Sequence, residues 1–465
     1  MALFTTPTKN QLVENAGDIV KTYVFTKIAV TSIVNGYATE ISLVAIHQND
    51  ILRNMEMNMD NYKPPRIIDK LTIFLDAQQP IDKHLSAVFK LKTEDLHAAH
   101  KSAFDSDAVG LIYGFLERQE APVCLVCHNG FRLDFPLLKH HLNSMDRSID
   151  KISGSDLLCS DSLWTCKMLD ASKESLTKRG VSVFDMLYYT QNSLHERLVN
   201  KPMPACLTCE EINMFLLEMC IRMGDTFVQS LCCKKFSDVV NTRNNKNTTI
   251  CNNILATTEN TGTFVFFDLE TTGLINPKIT EICMMAVNKS SLQATDVGAF
   301  PRVIDKLLVV VDPDEEIEPV ASQLTKLSNV NISERNKATF GTNTSLLVAQ
   351  FLNRQKGPVC VIAHNGDGFD FPILQSYLDS CVSDTFNNVY SADTLIGLRF
   401  LLQPVSDDAP KVSCALKDVY KRYFPQQPLE SMHEAESDVV SLMKIVRANP
   451  ELERWLDENK KLLIA

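Results

Sequence analysis

The feature that most constrains the fold is a repetition. Pro65-Arg-Ile-Ile-Asp-Lys-Leu71 returns as Pro301-Arg-Val-Ile-Asp-Lys-Leu307. Val123-Cys-Leu-Val-Cys-His-Asn-Gly130 returns as Val359-Cys-Val-Ile-Ala-His-Asn-Gly366, and Asp134-Phe-Pro-Leu-Leu138 as Asp370-Phe-Pro-Ile-Leu374. All three pairs are 236 positions apart, and Tyr23-Val-Phe25 matches Phe264-Val-Phe266 at 241, so one small insertion or deletion separates them. Segments recurring in the same order at a near-constant offset predict a tandem duplication of one domain. The expected organisation is one copy over residues 1–240, an Asn/Thr-rich polar linker over 241–262 and a second copy over 263–465.

Each copy reads as α/β. Thr263–Glu270 is rich in aromatic and β-branched residues and predicts a strand, as do Thr280–Asn288, Asp305–Val311 and Val359–Ala363. Apolar residues at helical spacing over Thr344–Arg354, Phe371–Leu378, Leu416–Tyr423 and Ala435–Val446 predict helices. A mixed central sheet flanked by helices accommodates this order.

Composition narrows the function classes. With 45% hydrophobic and 22% charged residues the chain is no disordered polymer. No window approaches ~18 uninterrupted apolar residues, so no membrane span is expected. Met1–Asn15 lacks the apolar run of a secretory signal, which favours free thiols for the fourteen cysteines. The pairs Cys124/Cys127 and Cys206/Cys209 are read as buried thiols in preference to zinc ligands. The net charge is −11, of which residues from Thr261 onward carry −8 (19 Lys+Arg against 27 Asp+Glu). Bulk electrostatics therefore do not hold this chain on nucleic acid. An acidic site that carries cations remains open to it.

Such a site can be read from the second copy. Asp268 and Glu270 are two residues apart at the end of a strand and therefore share a face. Asp370 opens a helix after His364-Asn-Gly-Asp-Gly. His433 precedes Asp438 by five positions; on one helix they would stand about 140° apart, whereas with His433 in the preceding loop they converge. Four carboxylates in one pocket repel unless divalent cations lie between them, and hard oxygen ligands select Mg²⁺ or Mn²⁺. Two such ions can clamp an in-line displacement at phosphorus, with the imidazole taking a proton from water.

In this combination the second copy resembles the DEDDh 3′-to-5′ exonucleases, and among them the three-prime repair exonucleases. Phe266-Phe-Asp-Leu-Glu-Thr-Thr-Gly-Leu274, His364-Asn-Gly-Asp-Gly-Phe-Asp-Phe-Pro-Ile-Leu374 and His433-x4-Asp438 are similar to the three motifs of that family. The resemblance covers about Thr261–Arg454. It implies tandem ribonuclease H-like domains and removal of nucleoside 5′-monophosphates from single-stranded or frayed DNA 3′ ends, in cytosolic DNA degradation or DNA repair. It further implies two Mg²⁺ (Mn²⁺ able to substitute) on Asp268, Glu270, Asp370 and Asp438, with His433 as general base. Thr271, Thr272 and Leu274 would meet the terminal nucleotide, and His364 and Asn365 would support the second motif. Gly368 departs from the pattern, standing where family members often carry Arg. A 3′-exoribonuclease or oligonucleotidase, and a non-catalytic nucleic-acid-binding protein, are the alternative readings.

In the first copy Lys27 and Ala29 stand at the places of Asp268 and Glu270, and only Asp134 matches a ligand. This copy is expected to be catalytically dead. Because family members are typically homodimers, it is expected to pack as an intrachain pseudodimer, the alternative being a homodimer of the whole chain. Lys173–Arg179 and Lys234-Lys235 are candidate basic stretches toward substrate. The expected location is cytoplasmic, nuclear or both.

Overall fold

The computed structural model of the chain describes residues 19–53, 63–171, 187–240, 261–297, 299–378, 386, 388–402, 412–427 and 433–463. Residues 241–260 of the expected linker, the basic stretch Lys173–Arg179 and Met1–Asn15 lie outside the described residues. Among the described residues no helix is long and apolar enough to cross a membrane.

The strands are, in chain order, β1 (Thr22–Val30), β2 (Ala38–His47), β3 (Asp69–Phe74), β4 (Val123–Cys127), the short hairpin β5 (Lys151–Ile152) and β6 (Ser155–Asp156), β7 (Leu158–Asp161), β8 (Cys233–Lys235), β9 (Thr263–Thr271), β10 (Ile279–Asn288), β11 (Asp305–Val310), β12 (Val359–Ala363), β13 (Val389–Asp393) and β14 (Lys461–Leu462). The helices needed below are α1 (Asp134–Ser144), α2 (Cys209–Met223), α3 (Asp370–Leu378), α4 (Thr394–Leu401) and α5 (Ala435–Ala448). Two compact units result. The first comprises Met1–Ile68, Ala77–Thr93 and Ala103–Ile250; the second comprises Asp69–Asp76, Glu94–Ser102 and Cys251–Ala465.

In the first unit β1 lies between antiparallel β2 and parallel β4; β4 continues to parallel β7 and β7 to antiparallel β8. Helix α2 packs on β1 and β2. It begins at a Thr208 N-cap whose hydroxyl accepts the Glu211 N–H, while Glu211 returns a bond to the Thr208 N–H. This capping box satisfies two of the N–H groups a helix start leaves open.

In the second unit the order is β14-β13-β12-β9-β10-β11-β3. β12 and β13 run parallel to β9, β10 runs against it, and β11 pairs antiparallel with β10. Within β13-β12-β9-β10-β11 this is the ribonuclease H-like arrangement that the resemblance implied. β9 and β10 are buried along nearly their whole length, and α5 packs on the pair. Val439, Leu442, Met443 and Val446 supply its buried face at positions i, i+3, i+4 and i+7.

The seventh strand of this sheet comes from the N-terminal half. β3 pairs antiparallel with β11, Lys70 opposite Leu308, Leu71 opposite Leu307 and Thr72 opposite Lys306. Two buried aspartates pin the register. Asp305 Oδ1 accepts the Phe74 N–H at 2.8 Å, and Asp69 Oδ1 accepts the Val310 N–H at 2.9 Å. Each is also met by a lysine, Lys101 on Asp305 at 2.6 Å and Lys337 on Asp69 at 2.9 Å. Arg354 and Gln355 add bonds of 2.5 and 2.8 Å to Asp305. Burial alone would raise the Asp305 carboxyl, but Arg354 and Lys101 hold it below the usual range, so it stays ionised and bridges strand to strand.

Candidate active site

The carboxyl end of β9 carries the site. Asp268 and Glu270 project from one face of this strand. Glu281 of β10 lies opposite Glu270 in the antiparallel register, hence on the same face. Asp438 enters from the first turn of α5. One ligand oxygen from each of Asp268, Glu270 and Asp438 falls within 4.8 Å of the others. Asp370 heads α3, and its Oδ1 accepts the Leu269 N–H at 3.2 Å, which ties this carboxylate to the strand between Asp268 and Glu270.

The carboxylates are crowded and poorly compensated. Burial raises Asp268 well above the usual carboxylate range, reinforced by the negative charges of Asp370, Glu270, Asp438 and Glu281. Burial pushes Asp370 up to about 7 and Asp438 up to about 6. Asp438 Oδ1 is buried without a hydrogen-bond partner. An orphaned anionic oxygen beside other acids is expensive unless a cation completes it. An all-oxygen donor set of this kind fits a hard divalent ion.

His433 lies in the segment before α5, with Glu434 at the N-cap and Asp438 in the first turn. Its backbone N–H donates to Asp438 Oδ2 at 3.2 Å. Its φ is +67°, a left-handed conformation that a side-chain-bearing residue seldom takes, and its side chain is exposed. The histidine is thus tethered to Asp438 by its backbone while its ring faces outward. This is the loop placement under which the two residues converge.

The expected substrate-contacting residues divide into a rigid and an exposed set. Thr271 and Thr272 are buried; Thr271 Oγ1 donates to the Gly273 carbonyl and Thr272 Oγ1 accepts the Lys278 N–H, which closes the β9–β10 turn. Leu274 and its neighbour Ile275 stand out from that turn, 82% and 79% exposed. His364 Nδ1 pairs with Thr394 Oγ1 at 3.0 Å, and burial lowers its pKa below the usual imidazole range. Asn365 sits at φ +63°.

Sequence reasoning missed several groups that shape this site. Asp393, at the end of β13, accepts the N–H groups of Asn365, Asp367 and Leu395 and thereby folds the second motif. Glu281 Oε2 accepts the Ala435 N–H at 3.0 Å and fixes the start of α5. Neither lies within a recognised motif; for Glu281 the one available signal was a buried acid in an otherwise apolar strand. A side chain at Gly368 would press on Asn365 Oδ1 at 2.9 Å, so an Arg there would require Asn365 to move.

The first unit repeats the frame with other side chains at the expected ligand positions. Asp134 Oδ1 accepts the Ile28 N–H at 2.9 Å, as Asp370 does that of Leu269. Glu40 accepts the Cys209 N–H, as Glu281 does that of Ala435. These equivalences place Lys27 at the position of Asp268, Ala29 at Glu270, Leu207 at His433 and Ile212 at Asp438. The Lys27 ammonium lies 3.0 and 3.1 Å from the two oxygens of Asp134. The described cysteines are free, and burial raises Cys124 and Cys127 well above the usual thiol range.

Comparison with known proteins places this geometry in a family. The chain is 35% identical over 213 residues to human three-prime repair exonuclease 1, a match that covers 43% of this chain and 68% of that protein. It is 38% identical over 210 residues to mouse three prime repair exonuclease 2, covering 43% of this chain and 89% of that protein. The chain belongs to the three-prime repair exonuclease family. The match to each of these three-prime repair exonucleases is about the length of one of the two expected copies. No family model matches the chain. Among solved structures, exonuclease I is similar at 17% identity with a TM-score of 0.33, over 42% of this chain and 43% of that one. Exonuclease X in complex with 5′ overhanging duplex DNA is similar at 18% identity with a TM-score of 0.30, over 43% of this chain and 99% of that one. These scores are too low to add to the family assignment.

Proposed function

We propose that the protein is a metal-dependent 3′-to-5′ DNA exonuclease whose working site lies in the second unit and which releases nucleoside 5′-monophosphates from single-stranded or frayed DNA ends. The observation that carries this reading is the Asp268–Glu270–Asp438 cluster, with its orphaned Asp438 oxygen and raised carboxyls, in a chain of this family. Asp268, Glu270, Asp370 and Asp438 would hold two Mg²⁺, with Mn²⁺ able to substitute. When bound, such ions supply electrostatic stabilisation of the charge that develops at phosphorus and activate water. His433 takes the proton of the attacking water as its oxygen bonds to phosphorus, and the bond to the leaving 3′ oxygen breaks. The exposed ring needs only to swing over a site to which its backbone is already tethered. Leu274 and Ile275 offer an apolar edge against the terminal bases, and the β9–β10 turn offers backbone to the terminal nucleotide.

In the same proposal the two halves derive from a duplicated domain, and the first is catalytically dead. An ammonium at Lys27 and apolar side chains at Ala29, Leu207 and Ile212 leave a divalent ion one carboxylate, itself already paired. The strand β3 in the second sheet supports the intrachain pseudodimer. The buried free thiols support a cytoplasmic or nuclear setting, where thiols remain reduced.

The test is purified protein, 5′-labelled DNA and Mg²⁺, beside an EDTA control and Asp268→Ala. Stepwise shortening by the wild type alone is expected. Shortening that persists in Asp268→Ala would overturn the site, and loss of RNA but not DNA would overturn the substrate.

A further inference from the structure

Glu436 lies two residues before Asp438 in the first turn of α5. Two lysines share its carboxylate: Lys306 Nζ is 2.8 Å from Oε1 and Lys70 Nζ is 2.7 Å from Oε2. Lys306 belongs to β11. Lys70 belongs to β3 and is 366 positions from Glu436. In the antiparallel register Lys306 faces Thr72 and Lys70 faces Leu308, so both lysines rise from one face of the strand pair, on either side of Leu71 and Leu307. Two ammonium groups brought this close would repel, and the Glu436 carboxylate between them makes the arrangement favourable. All three side chains are largely removed from solvent: Lys70 is 9% exposed, Lys306 12% and Glu436 27%. Screening there is weaker than for a surface pair.

The same helical turn has a second anchor, the bond from the Ala435 N–H to Glu281 Oε2. Asp438 follows directly, its N–H donating to the Glu434 carbonyl and its Oδ2 accepting the His433 N–H. The turn that leads to the expected ligand and follows the expected base is therefore held at its first two residues, Ala435 and Glu436, and one of the restraints comes from β3.

We propose that Lys70 is a positioning residue for the active centre: through Glu436 it fixes the first turn of α5 and with it Asp438 and His433. Strand β3, supplied by the N-terminal part of the sequence, thereby contributes to the chemistry of the second unit in which it lies. This inference rests on the exonuclease reading above. It gives β3 a role beyond covering an exposed strand edge. Misplacement of a catalytic group by about 1 Å can cost ~100-fold in rate. A single lost restraint with Lys306 still in place is expected to cost on the order of tenfold in kcat.

The experiment compares the full-length wild type, Lys70→Met, Lys70→Arg and Lys337→Ala. Lys70→Met keeps the aliphatic stem that packs the strand and removes only the charge. Lys337→Ala breaks the Asp69 ion pair on the same strand without touching Glu436. The readouts are kcat and KM on a single-stranded oligonucleotide, Mn²⁺ affinity by electron paramagnetic resonance, and the melting temperature. The expected result is a roughly tenfold lower kcat and weaker Mn²⁺ binding in Lys70→Met at near-constant KM, recovery in Lys70→Arg, and a wild-type kcat per folded molecule in Lys337→Ala. A Lys70→Met enzyme with unchanged kcat and Mn²⁺ affinity overturns the proposal, as does equal loss in Lys70→Met and Lys337→Ala. A wild type that leaves DNA intact overturns the exonuclease reading instead, and Mn²⁺ affinity then decides the role of Lys70 by itself. Should Lys70→Met fail to fold, Glu436→Gln tests the same restraint with the same expected and overturning results.

Discussion

Asp69 and Asp305 hold matching places on the strand pair β3–β11: each accepts a backbone N–H across the pair, from Val310 at 2.9 Å and from Phe74 at 2.8 Å, and each is met by a lysine. The 236-residue offset relates one aspartate to the other, and likewise relates Val310 to Phe74 and Lys337 to Lys101. The pairing therefore has a local two-fold relation within a single chain. A strand edge that a separate protomer could occupy is filled covalently, which removes the concentration dependence of such an association. The full-length chain is expected to sediment as a monomer of 52.2 kDa across the micromolar range. A mass near twice that would show that β3 does not suffice.

The buried charge at Asp305 depends on its partners. Replacing Lys101 by Met leaves a buried carboxylate with Arg354 as its remaining cation, and breaking such a pair typically costs about 3–5 kcal/mol. Urea denaturation of Lys101→Met is expected to give an unfolding free energy lower by that amount, with lysine replaced by arginine less damaging.

Asp268 shows the opposite sign. In the metal-free protein its charge is opposed by burial and by four neighbouring acids. Asp268→Asn is expected to abolish shortening of DNA and to raise the melting temperature of the EDTA-treated protein by a few degrees, since removing one repulsive carboxylate stabilises the fold. Calorimetry checks it; a lowered melting temperature would show that the carboxylate is satisfied as it stands.

The raised carboxyls fix the direction of the pH dependence. Asp370 at about 7 and Asp438 at about 6 in the folded state lie above ordinary carboxyl values. Folding therefore favours the protonated forms, and their stabilising contribution is present at low pH and lost as pH rises through 6 and 7. A divalent ion competes with these protons and is held more tightly as they leave. The shift in melting temperature on adding Mg²⁺ is expected to grow from pH 5.5 to pH 8, and titration at pH 6 is expected to release protons.

Asp134 and Asp370 share a backbone role, and the proposal makes only Asp370 a metal ligand. Asp370→Asn is expected to reduce the rate by several orders of magnitude. Asp134→Asn, which leaves Lys27 without its anion, is expected to cost stability and to leave the rate per folded molecule unchanged. Equal kinetic damage from the two would give the first unit a working site.

At the turn after β9, Leu274 and Ile275 are too exposed to hold the fold. Leu274→Ala with Ile275→Ala is expected to alter stability by no more than about 0.5 kcal/mol. The same change is expected to lower kcat/KM on duplex ends by about tenfold, the equivalent of ~1.4 kcal/mol of lost apolar contact.

Much of this was legible in the residues themselves. The strand Thr263–Thr271, the helix from Ala435 and the short strand Val359–Ala363 follow from local apolar pattern, and the structure has them within a residue or two of the expected bounds. The carboxylates were legible because i and i+2 on a strand share a face whatever the strand pairs with. Asp393, Glu281 and Glu436 were not legible, because an acid's value as a hydrogen-bond acceptor depends on which N–H or ammonium arrives from elsewhere in the chain. His433 was legible as a residue type, while its outward ring and left-handed backbone came from the approach into α5.

The sequence thus determined the α/β character of the chain, and it placed four carboxylates and a histidine, in the order of a nuclease site, after Thr261. Those are properties of local periodicity and of which side chains are present. Tertiary structure alone decided that β3 would join the sheet of the second unit, that Lys70 would meet Glu436, and that the site would rest on residues more than 300 positions apart. The physical reason is that strand edges and buried charges are satisfied by whatever partner reaches them in space, and the chain carries no local mark of which partner that will be.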